Sequence, residues 1–408
     1  MRNLVCAVCV TLGACAPGLT RGETEPAWVA SWQGAPQLVE PRNMPPAPGL
    51  AGMTLRQRLH LTLGGERARL RLSNEFGDRP LTVSAAHLSR SAHRDTLLAE
   101  GGMRVTFGGA SAVTIRAGDA VWSDAIVMRT GDLDDVTASV HFTNVPDHLT
   151  GHPGSRASSF VVPGNHVADA SLAGATVVEH WYVVSGVEVL RRDGGAVVAI
   201  LGNSIADGRG STTDQNNRWP DQLARRLHAN PATQGVGVSN AGLGGNAVLR
   251  GGLGPTALMR FERDILDQRG VRWVIVSEGV NDIGGAPDSA ASATVATELL
   301  DAYRRFIAQA HARHLRVYGA TILPFAGSQY DTPAHDRARN AVNAWIRDSG
   351  AFDAVIDFDL ATRDSSDNRK LRRDVDSGDH LHLNPAGYAV MAAAIDLRLF
   401  SVDRVARP

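Results

Sequence analysis

Cysteine is missing from this 408-residue chain after Cys15, since all three cysteines, Cys6, Cys9 and Cys15, lie at the N-terminus. This distribution excludes a disulfide within the rest of the chain, and it excludes a catalytic thiol there. An enzyme of the nucleophilic class built from this sequence must therefore use another side chain.

The sequence also lacks an excess of charge of one sign. Its 41 Lys and Arg residues nearly balance 42 Asp and Glu residues, and it contains no long basic run. Proteins that bind nucleic acid usually concentrate basic side chains on one face or along one segment. We therefore expect no nucleic-acid partner. The hydrophobic content of 43% is typical of a globular protein with a large core.

Long apolar runs are scarce, and the N-terminal segment "MRNLVCAVCVTLGACAP" is too short for a membrane span. A spanning helix needs about 20 apolar residues. Arg2, a short apolar core and small residues after it are typical of a secretory signal peptide, which we place at residues 1–22. We expect an exported protein, whether periplasmic, secreted or attached to the outer membrane.

Within this segment, "LGAC" from Leu12 to Cys15 resembles the lipobox of bacterial lipoproteins, in which the cysteine is lipidated. An ordinary cleavage site with a chance cysteine is the alternative. We expect contact with a membrane only through such a lipid anchor at Cys15.

Residues 27–192 show the pattern of an antiparallel β-domain. The segments "LRQRLHLTL" and "ARLRLSNEF" alternate apolar with polar residues, and turns rich in Gly, Asp and Pro separate the runs. We predict a β-sandwich of jelly-roll-like form, with "TVVEHWYVVSGVEVL" as its last hairpin.

The character of the sequence changes after "RRDGGA", so we place a second domain at residues 193–402. The apolar runs "AVVAIL", "VGVSN", "RWVIVSEG", "LRVYGATIL" and "DAVIDF" alternate with segments of helical pattern. These helical segments lie near residues 219–229, 256–268, 289–313, 334–348 and 385–398. The alternation predicts an α/β fold with a parallel five-stranded sheet buried on both faces. Ligands of such sheets bind at the carboxyl ends of the strands.

Residues suited to nucleophilic catalysis follow these strands. Ser204 follows the first run in "GNSIADG", "NAGLGGN" follows the second, "EGVND" follows the third, and "DSGDHLHLNPAGY" precedes the last helix. A nucleophilic serine needs a base, the base needs an orienting carboxylate, and the oxyanion needs fixed donors. The sequence provides all of these parts where the sheet would bring them to one edge.

The four segments resemble the blocks of the SGNH hydrolases, also called the GDSL family of esterases and lipases. The resemblance implies a three-layer α/β/α domain in which Ser204 is the nucleophile, His382 the base and Asp379 its orienting carboxylate. It also implies an oxyanion hole formed by the backbone N–H groups of Ser204 and Gly245 and by the side chain of Asn281.

Two positions depart from the family blocks or leave a choice open. Gly244 lies one residue from Gly245 and is the alternative in the second block. The Asp that usually precedes the family's nucleophile is Asn203 here, which keeps the shape and hydrogen-bonding capacity of Asp but not its charge. Asp207 is a candidate for bracing the same turn.

These segments also match three other patterns. "GNSIA" partly resembles the nucleophile elbow of α/β-hydrolases, but that fold would place several strands before its serine. "GLGGNA" fits a dinucleotide-binding turn, but the helix breakers of "VLRGGLGP" follow it. Asp379, His380 and His382 are residue types that bind metals, but no matching His and Asp pair accompanies them. We therefore expect neither a metal nor a cofactor.

The resemblance implies a serine esterase that acts on a small-molecule or glycan ester. An exported form with a β-sandwich domain resembles family members that remove acetyl groups from polysaccharides. We therefore expect short-chain esters as substrates, above all O-acetyl groups on carbohydrate. An envelope-associated lipase, lysophospholipase or arylesterase is the alternative, although no long apolar lid segment is evident. A second alternative is an inactive carbohydrate-binding protein.

Overall fold

The computed structural model describes residues 26–93, 96–97 and 102–401. An antiparallel β-rich part comes first, and a parallel five-stranded sheet with helices follows it. This is the fold class that the sequence predicts. The expected signal peptide and Cys15 lie outside the described residues.

The N-terminal part is built from short antiparallel strands. They are β1 (Ala27–Gln33), β2 (Gln37–Leu38), β3 (Met53–His60), β4 (Gly65–Ser73), β5 (Leu81–His93), β6 (Thr96–Leu97), β7 (Met103–Arg104), β8 (Val113–Ile115), β9 (Ala120–Trp122), β10 (Ile126–Thr130), β11 (Asp135–Asn144), β12 (Thr150–His152), β13 (Ser159–Pro163), β14 (Thr176–Val178), β15 (Trp181–Tyr182) and β16 (Val184–Arg191).

These strands form two large sheets and a small one. The first has the order β1-β16-β4-β10 with β9 beside β4, and the second has the order β14-β13-β3-β11-β5-β6 with β7 and β8 beside β5. The small sheet has the order β15-β12-β2. Alternate residues of β4, such as Leu70 and Leu72, are fully buried in the cluster that both large sheets share. The alternation in the sequence therefore marks the inward face.

The prediction of a last hairpin at "TVVEHWYVVSGVEVL" is wrong. Its strands β14, β15 and β16 pair with β13, β12 and β1, respectively, and so lie in three different sheets. Val183, between β15 and β16, has a left-handed φ of 63°. This conformation turns the chain from the small sheet into the first large sheet.

The C-terminal part begins with the parallel sheet. Its strands are β17 (Ala196–Gly202), β18 (Val236–Gly242), β19 (Val271–Ser277), β20 (Arg316–Ala320) and β21 (Ala354–Ile356), in the order β18-β17-β19-β20-β21. The helices are α1 (Ser204–Asp207), α2 (Trp219–Ala229), α3 (Ala257–Phe261), α4 (Val280–Gly284), α5 (Ser289–Ala312), α6 (Pro333–Asp348), α7 (Phe358–Thr362) and α8 (Pro385–Ala394). All five predicted strands are present.

Buried hydrogen bonds join the two parts. The Thr62 hydroxyl donates to the carbonyl of Val238 at 3.0 Å and accepts from the N–H of the same residue. The Gln33 side chain accepts from Ser239 Oγ at 2.7 Å and donates to the carbonyl of Asp264 at 3.1 Å. Since a buried polar group that loses its partner is costly, these bonds fix the β-rich part against the sheet. Among the described residues, no helix is long and apolar enough to cross a bilayer.

Candidate active site

Ser204 lies at the carboxyl end of β17, where it begins the short helix α1. The Asn203 side chain caps this helix by accepting a hydrogen bond from the N–H of Ile205 at 3.0 Å. Gly202 and Gly242 allow the close packing, because a Cβ on Gly202 would lie 2.5 Å from Ala206 Cβ and a Cβ on Gly242 would lie 2.4 Å from a backbone nitrogen. The tight junction therefore fixes where the serine points.

Ser204, His382 and Asp379 form a continuous chain of hydrogen bonds. Ser204 Oγ lies 2.8 Å from His382 Nε2, and His382 Nδ1 lies 2.7 Å from Asp379 Oδ2. The other carboxylate oxygen of Asp379 accepts from the backbone N–H groups of His382 at 2.8 Å and Leu381 at 3.1 Å. The structure thus brings together the three residues that the sequence predicts as a triad.

Burial favours the neutral form of His382. Burial lowers the pKa of His382 below its ordinary value of 6.5, Asp379 opposes this shift, and the charges of Arg209 and Arg156 reinforce it. Burial alone would raise the pKa of Asp379, but hydrogen bonds from His382 and its charge bring the value down to about 2. At neutral pH the site therefore combines a neutral imidazole with an ionised carboxylate, as a general base requires.

Candidate oxyanion donors surround the serine. Ser204, Gly244, Gly245 and Asn281 line one cavity with His382. Gly245 has a left-handed φ of 70°, which favours glycine at that position. Both glycines face the cavity, so the structure leaves the choice between Gly244 and Gly245 open.

The Asn281 side chain is held by two partners. Its Nδ2 donates to the carbonyl of Asn246 at 2.7 Å, and its Oδ1 accepts from the Tyr330 hydroxyl at 3.0 Å. The Tyr330 ring fits here because residue 284 is glycine, whose Cβ would lie 2.3 Å from the ring. Sequence analysis missed Tyr330, since nothing in the sequence places the loop after β20 over the loop after β19.

A second missed residue, Arg260, ties the ends of the central strands together. Its guanidinium is fully buried and donates to the carbonyls of Gly202 at 2.9 Å and Ala241 at 2.7 Å. It also pairs with Asp264 at 3.2 Å and Glu278 at 3.4 Å. Because β17, β18 and the end of β19 share this cation, the elements that carry the site are fixed relative to one another.

Asn203 is hydrogen-bonded to a buried carboxyl group, that of Glu278. Asn203 Nδ2 donates to Glu278 Oε2 at 3.2 Å. Burial raises the pKa of Glu278 to about 8, although the charge of Arg260 opposes the shift. Asn203 therefore both caps α1 and donates to a buried carboxyl, a second contact that an Asp at this position could make only with a proton between the two carboxyl groups.

The β-rich part forms one wall of the cavity. The cavity measures about 430 Å³ and opens above Ser204. Its residues from the β-rich part are mostly polar or charged, namely Gln37, Glu40, Arg42, Asn43, Pro153, Gly154, Arg156 and His180. Sequence analysis did not find this wall, because single-sequence patterns do not show which loops of one part face another.

The side chains of Asp207 and His380, two further candidates from the sequence, each have a hydrogen-bond partner. Asp207 is fully buried, and its Oδ1 lies 2.8 Å from Nε2 of His152 in the β-rich part. Its side chain therefore contacts the other part of the chain rather than bracing the α1 turn. His380 has a different partner, since its Nδ1 lies 2.6 Å from Asp376 Oδ2.

Comparison with known proteins places this region in a family. Residues 200–390 match the model of the GDSL-like Lipase/Acylhydrolase family. No curated protein matches the chain. Among solved structures, an acetyl xylan esterase, AlAXEase, is 20% identical, with 48% of this chain and 96% of that chain covered and a TM-score of 0.37. A GDSL-like lipase from Bacteroides thetaiotaomicron VPI-5482 is 18% identical over 50% of this chain and 86% of that chain, with a TM-score of 0.36.

Residues 200–390 therefore form a GDSL-like lipase/acylhydrolase domain, and this match supports a carboxylic ester hydrolase. The matched range includes Ser204, Asn281, Asp379 and His382. The family resemblance predicted from the sequence is confirmed.

Proposed function

We propose that this protein is a serine esterase in which Ser204 is the nucleophile and His382 the general base. The observation that carries the proposal is the distance of 2.8 Å between Ser204 Oγ and His382 Nε2. His382 Nδ1 is in turn hydrogen-bonded to Asp379. In this role Asp379 fixes the imidazole tautomer and stabilises the imidazolium that forms.

The proposed reaction uses water as its second substrate. Ser204 Oγ bonds to the ester carbonyl carbon while its proton passes to His382 Nε2. Collapse of the tetrahedral intermediate breaks the bond to the alcohol oxygen, which receives that proton. Water then attacks the acyl-enzyme and gives a proton to His382, which returns it to Ser204 as the carboxylic acid leaves.

We propose three donors for the oxyanion of both intermediates: the backbone N–H groups of Ser204 and Gly245 and the Nδ2 of Asn281. Support comes from the common cavity that these residues line and from the two hydrogen bonds that orient Asn281. Removing one donor of this kind typically costs about 100- to 1000-fold in rate.

The proposed substrates are esters of short acyl groups, above all O-acetyl groups on carbohydrate. The cavity wall supports this, because polar and charged residues such as Gln37, Glu40 and Asn43 suit a hydroxyl-rich alcohol better than a long acyl chain. We also propose export, on the ground of the N-terminal sequence; the mass of the mature N-terminus would distinguish cleavage alone from lipidation at Cys15.

The test is hydrolysis of 4-nitrophenyl esters from acetate to laurate by the mature protein and its Ser204→Ala variant, followed by acetate release from acetylated xylan. Activity confined to short chains and lost in the variant supports the proposal. A preference for long chains would transfer the assignment to a lipase. Absence of activity on every ester would favour the carbohydrate-binding alternative.

A further inference from the structure

Three arginines with few or no carboxylate partners line the cavity above Ser204. Arg42, Arg156 and Arg209 all line it. Within the described residues, the side chains of Arg42 and Arg156 have no hydrogen bond or ion pair, and Arg209 has only Asp379, at 3.9 Å. Arginine side chains left in this state are available to bind an anion.

The carboxylates of the same lining are already engaged. The two oxygens of Glu40 accept hydrogen bonds from Gln37 Nε2 and Asn43 Nδ2, both at 2.8 Å. Asp207 lies 2.8 Å from His152 Nε2. None of these contacts joins a lining carboxylate to an arginine, and the three arginines outnumber the two carboxylates of the lining, so the lining favours an anion.

Arg156 is the most constrained of the three cations. Its Nε is buried and has no hydrogen-bond partner. Its backbone has a left-handed φ of 49°, and its carbonyl accepts from the N–H of Asp214 at 3.0 Å. A buried donor without a partner costs free energy. A ligand acceptor at Arg156 would satisfy this Nε, and the backbone contact with Asp214 anchors the residue that carries it.

Arg209 lies close to the proposed base, since its Nε is 3.9 Å from the Asp379 carboxylate that is hydrogen-bonded to His382. Its N–H donates to the carbonyl of Ser204 at 2.9 Å, and its carbonyl accepts from the Tyr388 hydroxyl at 2.5 Å, so its backbone is anchored beside the serine. The charges of both Arg209 and Arg156 act on His382. Since His382 delivers the proton to the leaving alcohol, these cations face the alcohol portion of the ester rather than its acyl group.

We propose that the natural substrate carries an anionic group, most simply a carboxylate, on its alcohol portion, and that Arg156 and Arg209 bind this group. The inference rests on the proposed esterase function and names its substrate class, an acylated acidic saccharide or hydroxy acid. A phosphate on the alcohol would also be anionic and would suit the same arginines. Charge-assisted hydrogen bonds from guanidinium to either anion are short and strong.

The test compares three acetate esters that differ in charge: 3-acetoxybenzoate, its neutral methyl ester and 3-acetoxyphenyl phosphate. The ratio of kcat/KM for each anionic ester to that for the neutral ester is measured in the wild-type protein, Arg156→Gln, Arg156→Lys and Arg209→Gln. Arg116→Gln is the matched control, since Arg116 lies 85% exposed in the β-rich part and pairs with Asp119. Thermal unfolding verifies that each variant is folded.

We expect Arg156→Gln to lower the anionic-to-neutral ratio at least about 10-fold. Arg209→Gln should lower it less, because this side chain is 63% exposed. Arg156→Lys should restore part of the ratio, and Arg116→Gln should leave it unchanged. The anion whose hydrolysis depends more on Arg156 identifies the source, carboxylate or phosphate. Equal ratios in the wild-type protein, Arg156→Gln and Arg209→Gln would overturn the inference and leave the esterase proposal intact.

Binding measurements separate the inference from the esterase proposal. Calorimetry measures the affinity of 3-acetoxybenzoate and of its methyl ester for two proteins. They are the Ser204→Ala variant and the double variant Ser204→Ala, Arg156→Gln. Preferential binding of the anion that Arg156→Gln abolishes supports the site even if the wild-type protein hydrolyses none of the esters, a result that would contradict the esterase function alone. Equal binding of the two compounds would overturn the inference.

Discussion

Asn203 donates its side-chain N–H to the carboxyl of Glu278, and the two atoms lie 3.2 Å apart inside the protein. The residue immediately before the proposed nucleophile is thus coupled to a carboxyl that lies at the end of β19. Glu278 also contacts Arg260, so a single buried network connects Asn203 to the carboxyl ends of β17 and β18.

This contact predicts that Asn203→Asp destabilises the protein in a pH-dependent way. Burial raises the pKa of Glu278 to about 8, so the native state binds this proton more tightly than the unfolded chain. Its stabilising contribution is complete below the ordinary pKa of 4.5 and is lost as pH rises to about 8. Above that pH the introduced carboxylate would face a second one, so the deficit in Tm should grow.

Thermal unfolding between pH 6 and 9 tests this, with the double variant Asn203→Asp, Glu278→Gln as the control. In the control the deficit should no longer increase with pH, because only one carboxyl group remains. A constant deficit for Asn203→Asp across the range would contradict the account.

Tyr330→Phe should reduce turnover without removing any reacting group. The hydroxyl of Tyr330 holds Asn281 Oδ1 at 3.0 Å, so its loss frees the amide to rotate. We expect kcat for 4-nitrophenyl acetate to fall about 10-fold, less than the 100- to 1000-fold expected for Asn281→Ala, which removes the donor. Steady-state kinetics of both variants would decide, and an unchanged kcat in Tyr330→Phe would show that Asn281 needs no such support.

Arg209→Gln should move the acidic limb of the pH–activity profile to higher pH. Burial and the nearby arginine charges lower the pKa of His382, and a base must be neutral to act. Activity therefore rises as pH increases through a value below 6.5, and removal of one positive charge raises that value. The profile of kcat/KM for a neutral ester should shift by a fraction of a pH unit, and less at high salt. A shift toward lower pH would contradict the placement of Arg209.

His152→Ala should impair both stability and hydrolysis, although His152 lies in the β-rich part. It would leave Asp207 buried without its partner, which typically costs about 3 to 5 kcal/mol. Since Asp207 ends the helix that Ser204 begins, kcat should fall as well. Urea unfolding and ester hydrolysis check this, with the exposed His148→Ala as the matched control. Full activity in His152→Ala would mean that the contact between His152 and Asp207 does not support the serine.

The strands and the residues at their ends could be predicted from the sequence because each depends on local pattern. The run "AVVAIL" has the length and composition of a buried strand. Parallel-sheet topology then places Ser204, which follows the run, at the carboxyl edge of the sheet. The helix predicted at 219–229 is observed with the same bounds as α2. The short helices α1, α4 and α7 had no periodic signal long enough to detect.

What could not be predicted depends on contacts between distant segments. Arg260 lies in a segment that shows only helical pattern, yet it bonds the ends of two strands. Arg156 lies in a turn of the β-rich part and reaches the cavity only because the two parts pack together. The failed hairpin at β14 to β16 has the same cause, since the sheet that each strand joins is decided by partners far along the chain.

The central claim is that Ser204 is a nucleophile activated by His382, and covalent labelling tests it most directly. The wild-type protein, Ser204→Ala and His382→Ala are treated with an organophosphate ester, digested, and mapped by mass spectrometry alongside assays of 4-nitrophenyl acetate hydrolysis. We predict one phosphorylated site at Ser204, no label and at least a roughly 10⁴-fold lower rate in Ser204→Ala, and much slower labelling in His382→Ala. Undiminished hydrolysis in Ser204→Ala, or a label on another residue that abolishes activity, would contradict the account.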